Sequence, residues 1–122
     1  MHSAAQAYDK NTKATLSPRD LEAHLLMKAA AKLQAVKDDW SHAGEELTMA
    51  LLYNRKLWTV FTSSMMEEEA RSLPATIREN IANLGIFIFN RTLDIEAAPA
   101  PEKLTALIDI NRNVAAGLRG QA

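Results

Sequence analysis

Hydrophobic residues recur at steps of three and four along most of the chain, the spacing that places side chains on one face of an α-helix. The first such segment begins at Ser17 and Pro18, a capping residue followed by proline, with Asp20 in the first turn. Residues 37–44 are more polar and predict a turn. The predicted face of this first helix consists of Leu21, Leu25, Ala29, Leu33 and Val36.

Two further helices are predicted after this turn. The second covers residues 45–62, and residues 65–72 form either a separate short helix or its frayed end. The third begins at residues 73–74, with proline again at a helix start. Residues 86–89 alone resemble a buried strand, but the helical pattern continues on both sides and no second strand-like run exists to pair with them. The predicted face of the second helix consists of Leu47, Leu51, Asn54, Trp58, Phe61 and Met65. The predicted face of the third helix consists of Ile77, Ile81, Leu84, Ile88, Arg91 and Ile95.

A fourth helix follows a proline-containing linker at residues 97–101. It begins near Glu102 and ends at Gly117 or Gly120, with a face that includes Ile108 and Asn111. Four helices with short connections predict an all-α fold, an antiparallel bundle of four main helices over residues 17–122. Residues 1–16 are small and polar and predict a short N-terminal arm. Largely buried positions are expected at Leu25, Leu51, Trp58, Ile81, Leu84 and Ile108.

Composition is that of an ordinary globular domain. The chain has 122 residues, of which 48% are hydrophobic and 24% charged, enough for one core in one domain. It has no cysteine, which excludes disulfides and thiolate chemistry and suits a reducing cytoplasm. No apolar run approaches the length of a membrane span, and the first residues lack the features of a signal peptide. We therefore expect a cytoplasmic protein with no membrane partner.

Charge argues against direct binding of nucleic acid. Lys and Arg total 14 against 15 Asp and Glu, a net charge of −1, and both halves of the chain are nearly balanced. Proteins that bind phosphate backbones usually carry a basic stripe or a high isoelectric point. Direct contact with RNA or DNA is disfavoured, although one local basic patch stays compatible with these totals.

Catalytic and metal-binding patterns are weak. His2, His24 and His42 lie on separate segments without paired ligand spacing, and the acidic run at residues 67–69 fits a solvated helix start. The glycines are isolated, so no phosphate-binding loop is present, and no serine lies in a nucleophile elbow. We expect a protein that is not an enzyme and uses no cofactor or metal.

Two asparagines occupy positions where leucine is expected. Asn54 interrupts the apolar face of the second helix, Asn111 interrupts that of the fourth, and each is followed by an arginine, Arg55 and Arg112. A buried amide must find hydrogen-bond partners or destabilise the fold. One interpretation is that the two amides bond each other or nearby backbone and fix helix register. The other is a polar notch that receives a partner, and the first is favoured.

The third helix is apolar around nearly its whole circumference. Ile86, Phe87 and Phe89, together with Leu84 and Ile88, cover this circumference, although every helix of a four-helix bundle has a solvent side. At least one of these side chains should therefore be exposed, as is usual at a protein-binding surface. Gly85, unfavourable in mid-helix, should admit a bulky neighbour such as Trp58.

Several blocks of the chain resemble the FlaF family of bacterial flagellar biosynthesis regulators. The most specific are NRKLW at residues 54–58 and INR at residues 110–112, and the resemblance covers nearly the whole chain. It implies a cytoplasmic factor that acts with a second regulator, FlbT, in flagellin production and filament assembly. It also implies a positive regulator or a flagellin-binding export chaperone, with no catalytic residue to transfer.

Three classes of function follow from the sequence and the resemblance together. The favoured class is a flagellin-binding chaperone. A regulator of flagellin messenger RNA, acting directly or through FlbT, would be supported by a clustered face of Arg55, Lys56, Arg112 and Arg119. A structural adaptor of the export apparatus differs from the first mainly in its partner. The candidate partner-binding residues are Ile86, Phe87, Phe89, Asn54, Arg55, Asn111 and Arg112.

Overall fold

The computed structural model describes residues 17–67 and 73–120, and these residues fold into four α-helices and two short 3-10 helices. The described part contains no β-strand, so the all-α prediction is confirmed, including a helix rather than a strand at residues 86–89. The 3-10 helices Trp40–His42 and Pro101–Lys103 lead into α2 and α4. The α-helices are α1 (Pro18–Asp38), α2 (Gly44–Ser64), α3 (Ala75–Ala97) and α4 (Leu104–Leu118).

Helix ends follow local chemistry. The backbone N–H of Asp20 donates a hydrogen bond of 3.1 Å to Oγ of Ser17, which confirms the predicted cap of α1. This helix continues through Asp38, so the connection to α2 is shorter than the predicted turn. The fourth helix starts two residues later than expected because residues 101–103 form a 3-10 turn. It ends shortly before Gly120, whose φ of 73° is a conformation that glycine adopts without strain.

The helices pack as an antiparallel bundle in the order α1, α2, α3, α4. The closest packing joins α1 to α4, followed by α1 to α2 and α2 to α3, whereas α3 and α4 meet only lightly. Ala23 and Ala30 lie at seven-residue spacing before Lys37, whose Nζ donates a 2.8 Å hydrogen bond to Oγ1 of Thr105 on α4. These alanines therefore face α4, and their small side chains let the two helices approach closely.

Two of the six positions expected to be largely buried are not. Leu25 is half-buried, and Leu26 occupies the core instead. In an α-helix each four-residue step turns about 40° beyond a full circle, so residues at successive steps of four do not stay on one face. The predicted stripe therefore leaves the core face near the start of α1. Leu84 is also half-buried because α4 packs on α1 rather than closing over α3. The other four, Leu51, Trp58, Ile81 and Ile108, are buried as expected.

The region after α2 is only partly described. Residues 65–67 form a turn in which Met65 is buried. The remainder of the predicted helix at residues 65–72, and the predicted arm at residues 1–16 with His2 and Tyr8, lie outside the described residues. Among the four helices, none is long and apolar enough to span a membrane.

Candidate functional site

A chain of hydrogen bonds links three buried side chains in the middle of the bundle. Nδ2 of Asn111 donates to Oδ1 of Asn54 at 2.7 Å, and Nε1 of Trp58 donates to Oδ1 of Asn111 at 2.8 Å. All three residues have no exposed surface. The predicted bond between the two asparagines is therefore confirmed, and Trp58 is a third member that the sequence did not indicate.

The indole of Trp58 fixes the orientation of both amides. An indole N–H can only donate, so the oxygen of Asn111 must face Trp58 and its Nδ2 must face Asn54. Asn54 therefore presents its oxygen to Asn111, and its own Nδ2 has no hydrogen-bond partner. The loss of hydration at this nitrogen is therefore not offset by a hydrogen bond within the protein.

Burial separates these asparagines from the surface candidates. Neither Asn54 nor Asn111 reaches the surface, so a partner cannot touch the two amides in this conformation. Their geometry supports the interpretation in which they fix helix register, because the bond joins α2 to α4 at one relative position.

The three apolar candidates of α3 fall on different sides of that helix. The side chains of Ile86 and Phe87 are exposed, whereas Phe89 is half-buried against the core. Ile86, Phe89 and Leu93 are spaced by three and four residues and share the flank away from α4. Phe87 instead faces α4. The exposed phenylalanine of α3 is therefore Phe87.

Phe87 borders a shallow groove of about 540 Å³ between α3 and α4. Its apolar lining comes from Leu84 and Phe87 on α3 and from Ile110 on α4, and Asn80 and Asn83 supply amide groups. Such a lining suits an amphipathic helix, which needs apolar contact in the centre and hydrogen-bonding groups beside it.

A cation lies against the same phenylalanine. The guanidinium carbon of Arg91 is 5.3 Å from the ring centroid of Phe87. This arrangement holds the ring at the edge of the groove by a cation–π interaction. The groove therefore has a positioned aromatic side chain and a positive charge at one end.

Gly85 explains how α3 approaches α2 on the opposite side. A Cβ at this position would lie 2.7 Å from Cγ2 of Thr62 and 3.8 Å from Cε3 of Trp58. The expectation that Gly85 admits Trp58 is therefore correct only in part, because Thr62 makes the closer approach. Thr62 cannot rotate freely, since its Oγ1 donates a 2.7 Å hydrogen bond to the backbone oxygen of Trp58.

Three of the four residues of the predicted basic face, Arg55, Lys56 and Arg112, border different pairs of helices, and the fourth, Arg119, is exposed at the end of α4. Arg55 lies beside Glu96 and Pro99 at the junction of α2 and α3, whereas Lys56 lines the cleft between α1 and α2. Arg112 approaches Oε1 of Gln34 on α1 at 3.5 Å. These three cations therefore lie beside different helix pairs.

Two of the three histidines, His24 and His42, lie within the described residues. His24 is half-buried, and exposed His42 contacts Oδ1 of Asp39 at 2.9 Å. Within residues 17–67 and 73–120, no three histidine or acidic side chains are grouped closely enough to hold a metal ion. Burial raises the pKa of Glu22 above its ordinary value, and the charge of Arg19 at 2.7 Å opposes this shift without cancelling it.

Sequence reasoning missed most of the groove lining. It indicated the excess apolar surface of α3 but not Asn80, Asn83 or the contribution of Ile110. The helical spacing predicts a core position for Leu84, which in the structure lines the groove. The sequence feature behind this opening lies in α1, whose small residues Ala23 and Ala30 let α4 approach α1 closely, while α3 and α4 meet only lightly.

The comparison with protein families agrees with the resemblance seen in the sequence. A family model described as flagellar protein FlaF matches residues 4–118. The chain belongs to this family. No curated protein and no solved structure shows significant similarity to it. The matched residues include both the buried network and the groove. Membership of the FlaF family identifies a flagellar protein.

Proposed function

We propose that this FlaF family member is a non-enzymatic chaperone that binds flagellin and thereby promotes flagellin production and filament assembly. The observation that carries the proposal is the exposed Phe87 in an apolar groove between α3 and α4. Exposed aromatic side chains among apolar neighbours are typical of protein-binding surfaces.

The occupant of the groove is an amphipathic helix of the flagellin subunit. Subunits awaiting export carry such helices, whose apolar faces require shielding until the filament is assembled. The client helix places apolar anchors against Leu84, Phe87 and Ile110, and its polar flank meets Asn80 and Asn83. Binding of this kind needs no catalytic residue, and the protein acts in the cytoplasm where flagellin is made.

Positive regulation then follows by mass action. A chaperone that binds the unassembled subunit lowers its free concentration and protects it from aggregation and proteolysis. Cooperation with FlbT fits the same scheme, because a regulator that restrains flagellin translation can respond to the amount of free subunit.

The alternative is a regulator that acts on flagellin messenger RNA, directly or through FlbT. Its direct form would need Arg55, Lys56, Arg112 and Arg119 to bind phosphates together, yet the first three border different helix pairs. The near-neutral charge of the chain also disfavours it.

Titration calorimetry with purified flagellin, and separately with flagellin messenger RNA, tests the proposal. We expect saturable binding to flagellin with a negative heat-capacity change, which indicates buried apolar surface, and with little dependence on salt. Binding to RNA alone, weakening steeply between low and moderate salt, would support the alternative instead.

A further inference from the structure

The side of the bundle opposite the groove carries a second apolar surface. Since α1 and α2 form one side of the four-helix ring and α3 and α4 form the other, the cleft between α1 and α2 faces away from the groove. This cleft has a volume of about 570 Å³. Met49, with 59% of its surface exposed, lies in it beside Tyr53 and Leu52.

Charges at the two ends of this cleft have opposite signs. Glu45 and Glu46 lie at one end and Lys56 at the other, about 16 Å apart along α2 at 1.5 Å per residue. Lys32 of α1 belongs to the positive end, because its Nζ lies 5.1 Å from the ring centroid of Tyr53. The face is therefore acidic, then apolar, then basic.

We propose that this face is an interface between two copies of the chain, related by a two-fold axis near Met49 and Leu52. A two-fold axis perpendicular to the face reverses its direction in the second copy. Glu45 and Glu46 of each copy then meet Lys32 and Lys56 of the other.

The same two-fold axis brings the apolar centres of the two faces into contact. Met49 of one copy lies against Leu52 or Tyr53 of the other, and a thioether against an aromatic ring is a favourable contact. A parallel arrangement would place acid on acid and base on base, at a cost that excludes it. Any other helical partner would need the same three-part charge pattern, which a second copy has by construction.

The dimer is closed and leaves the groove free. Because both copies use the same surface, the interface cannot extend into a filament. The groove between α3 and α4 lies on the outer side of each copy, so a dimer presents two grooves. This inference does not depend on flagellin being the occupant of the groove.

Charge reversal tests the dimer with the full chain. One variant carries Lys32→Glu and Lys56→Glu, and the other carries Glu45→Lys and Glu46→Lys. Asp109→Lys, a single charge reversal on the exposed side of α4, is the control outside the interface. Sedimentation equilibrium is measured for each variant and for an equimolar mixture of the two, with circular dichroism to confirm helicity.

The expected masses distinguish the arrangements. The wild type and the Asp109→Lys control should reach twice the chain mass of 13.5 kDa with rising concentration. Each reversed variant alone should dimerise at least roughly tenfold more weakly, since like charges then face each other. The mixture should recover the dimer. A wild type that stays monomeric, reversed variants that dimerise like the wild type, or a mixture that does not recover would each overturn the proposal.

Discussion

Asn111 donates a hydrogen bond of 2.7 Å to Asn54 inside the bundle, joining two helices that are not neighbours in the ring. Because Asn111 also accepts from Trp58, it makes two bonds of the network, whereas Asn54 makes one. The consequences of removing the two amides should therefore differ.

We expect Asn111→Ala to destabilise the fold more than Asn54→Ala. The first change leaves Nε1 of Trp58 and Oδ1 of Asn54 without partners, at about 1–3 kcal/mol for each buried group. The second leaves only Nδ2 of Asn111 unpaired and also removes an amide nitrogen that had no partner. Urea unfolding of the wild type, both single variants and the double variant gives the coupling free energy between the two amides, which we expect at about 0.5–3 kcal/mol. Additive effects would mean that the amides do not interact.

Trp58→Ala should cost about 3–5 kcal/mol of unfolding free energy, because it opens a cavity and leaves Oδ1 of Asn111 without its hydrogen-bond donor. The ring also packs edge-on against Phe61, with centroids 5.4 Å apart. Trp40→Ala is the control, since that ring is only half-buried, and it should cost clearly less. Equal losses in chemical denaturation would contradict the assignment of Trp58 to the centre of the core.

Gly85→Ala should destabilise the wild type but not a Thr62→Ser variant. The new methyl group meets Cγ2 of Thr62, which is held by its bond to the backbone of Trp58. Serine lacks this methyl group but keeps the hydroxyl. In the Thr62→Ser background the substitution should be neutral or gain up to about 1 kcal/mol from the better helix propensity of alanine. Thermal unfolding of the wild type, the two single variants and the double variant measures both effects of Gly85→Ala. An equal loss of stability in both backgrounds would show that the contact with Thr62 is not the cause.

Glu22→Gln should become more favourable relative to the wild type as pH rises. Burial raises the pKa of Glu22 above its ordinary value of 4.5, so the folded protein holds this proton more strongly than the unfolded chain does. Below the ordinary pKa the two proteins should be similar. As pH rises through the raised pKa, only the wild type acquires the poorly solvated charge. Unfolding free energies from acid to neutral pH test this, and a variant that is less stable at neutral pH would mean that the ion pair with Arg19 dominates.

Much of the fold follows from local sequence. The cap at Ser17, the proline that opens α1 and the helical spacing around Ile88 each act within a few residues, so the helices were predictable. The bond between Asn54 and Asn111 was also predictable, because two polar residues on apolar faces need partners.

The groove was less predictable because it depends on how closely the helices approach. The alanines at positions 23 and 30 draw α4 towards α1, and this displacement leaves Leu84 and Phe87 uncovered on α3. Nothing in the spacing of Leu84 itself indicates this. Likewise, Arg55 and Lys56 are adjacent in sequence but point to different helix pairs, since neighbouring residues on a helix are about 100° apart.

The measurement that tests the central claim most directly compares Phe87→Glu with Val60→Glu in calorimetric titrations with purified flagellin. Both substitutions place a carboxylate at an exposed apolar position, but Val60 does not line the groove. Both should stay helical and within about 1 kcal/mol of the wild-type stability.

For Phe87→Glu we expect affinity to fall at least about thirtyfold, the equivalent of ~2 kcal/mol for the loss of a central anchor. Val60→Glu should bind like the wild type. If Phe87→Glu binds flagellin with unchanged affinity, the groove between α3 and α4 is not the binding site.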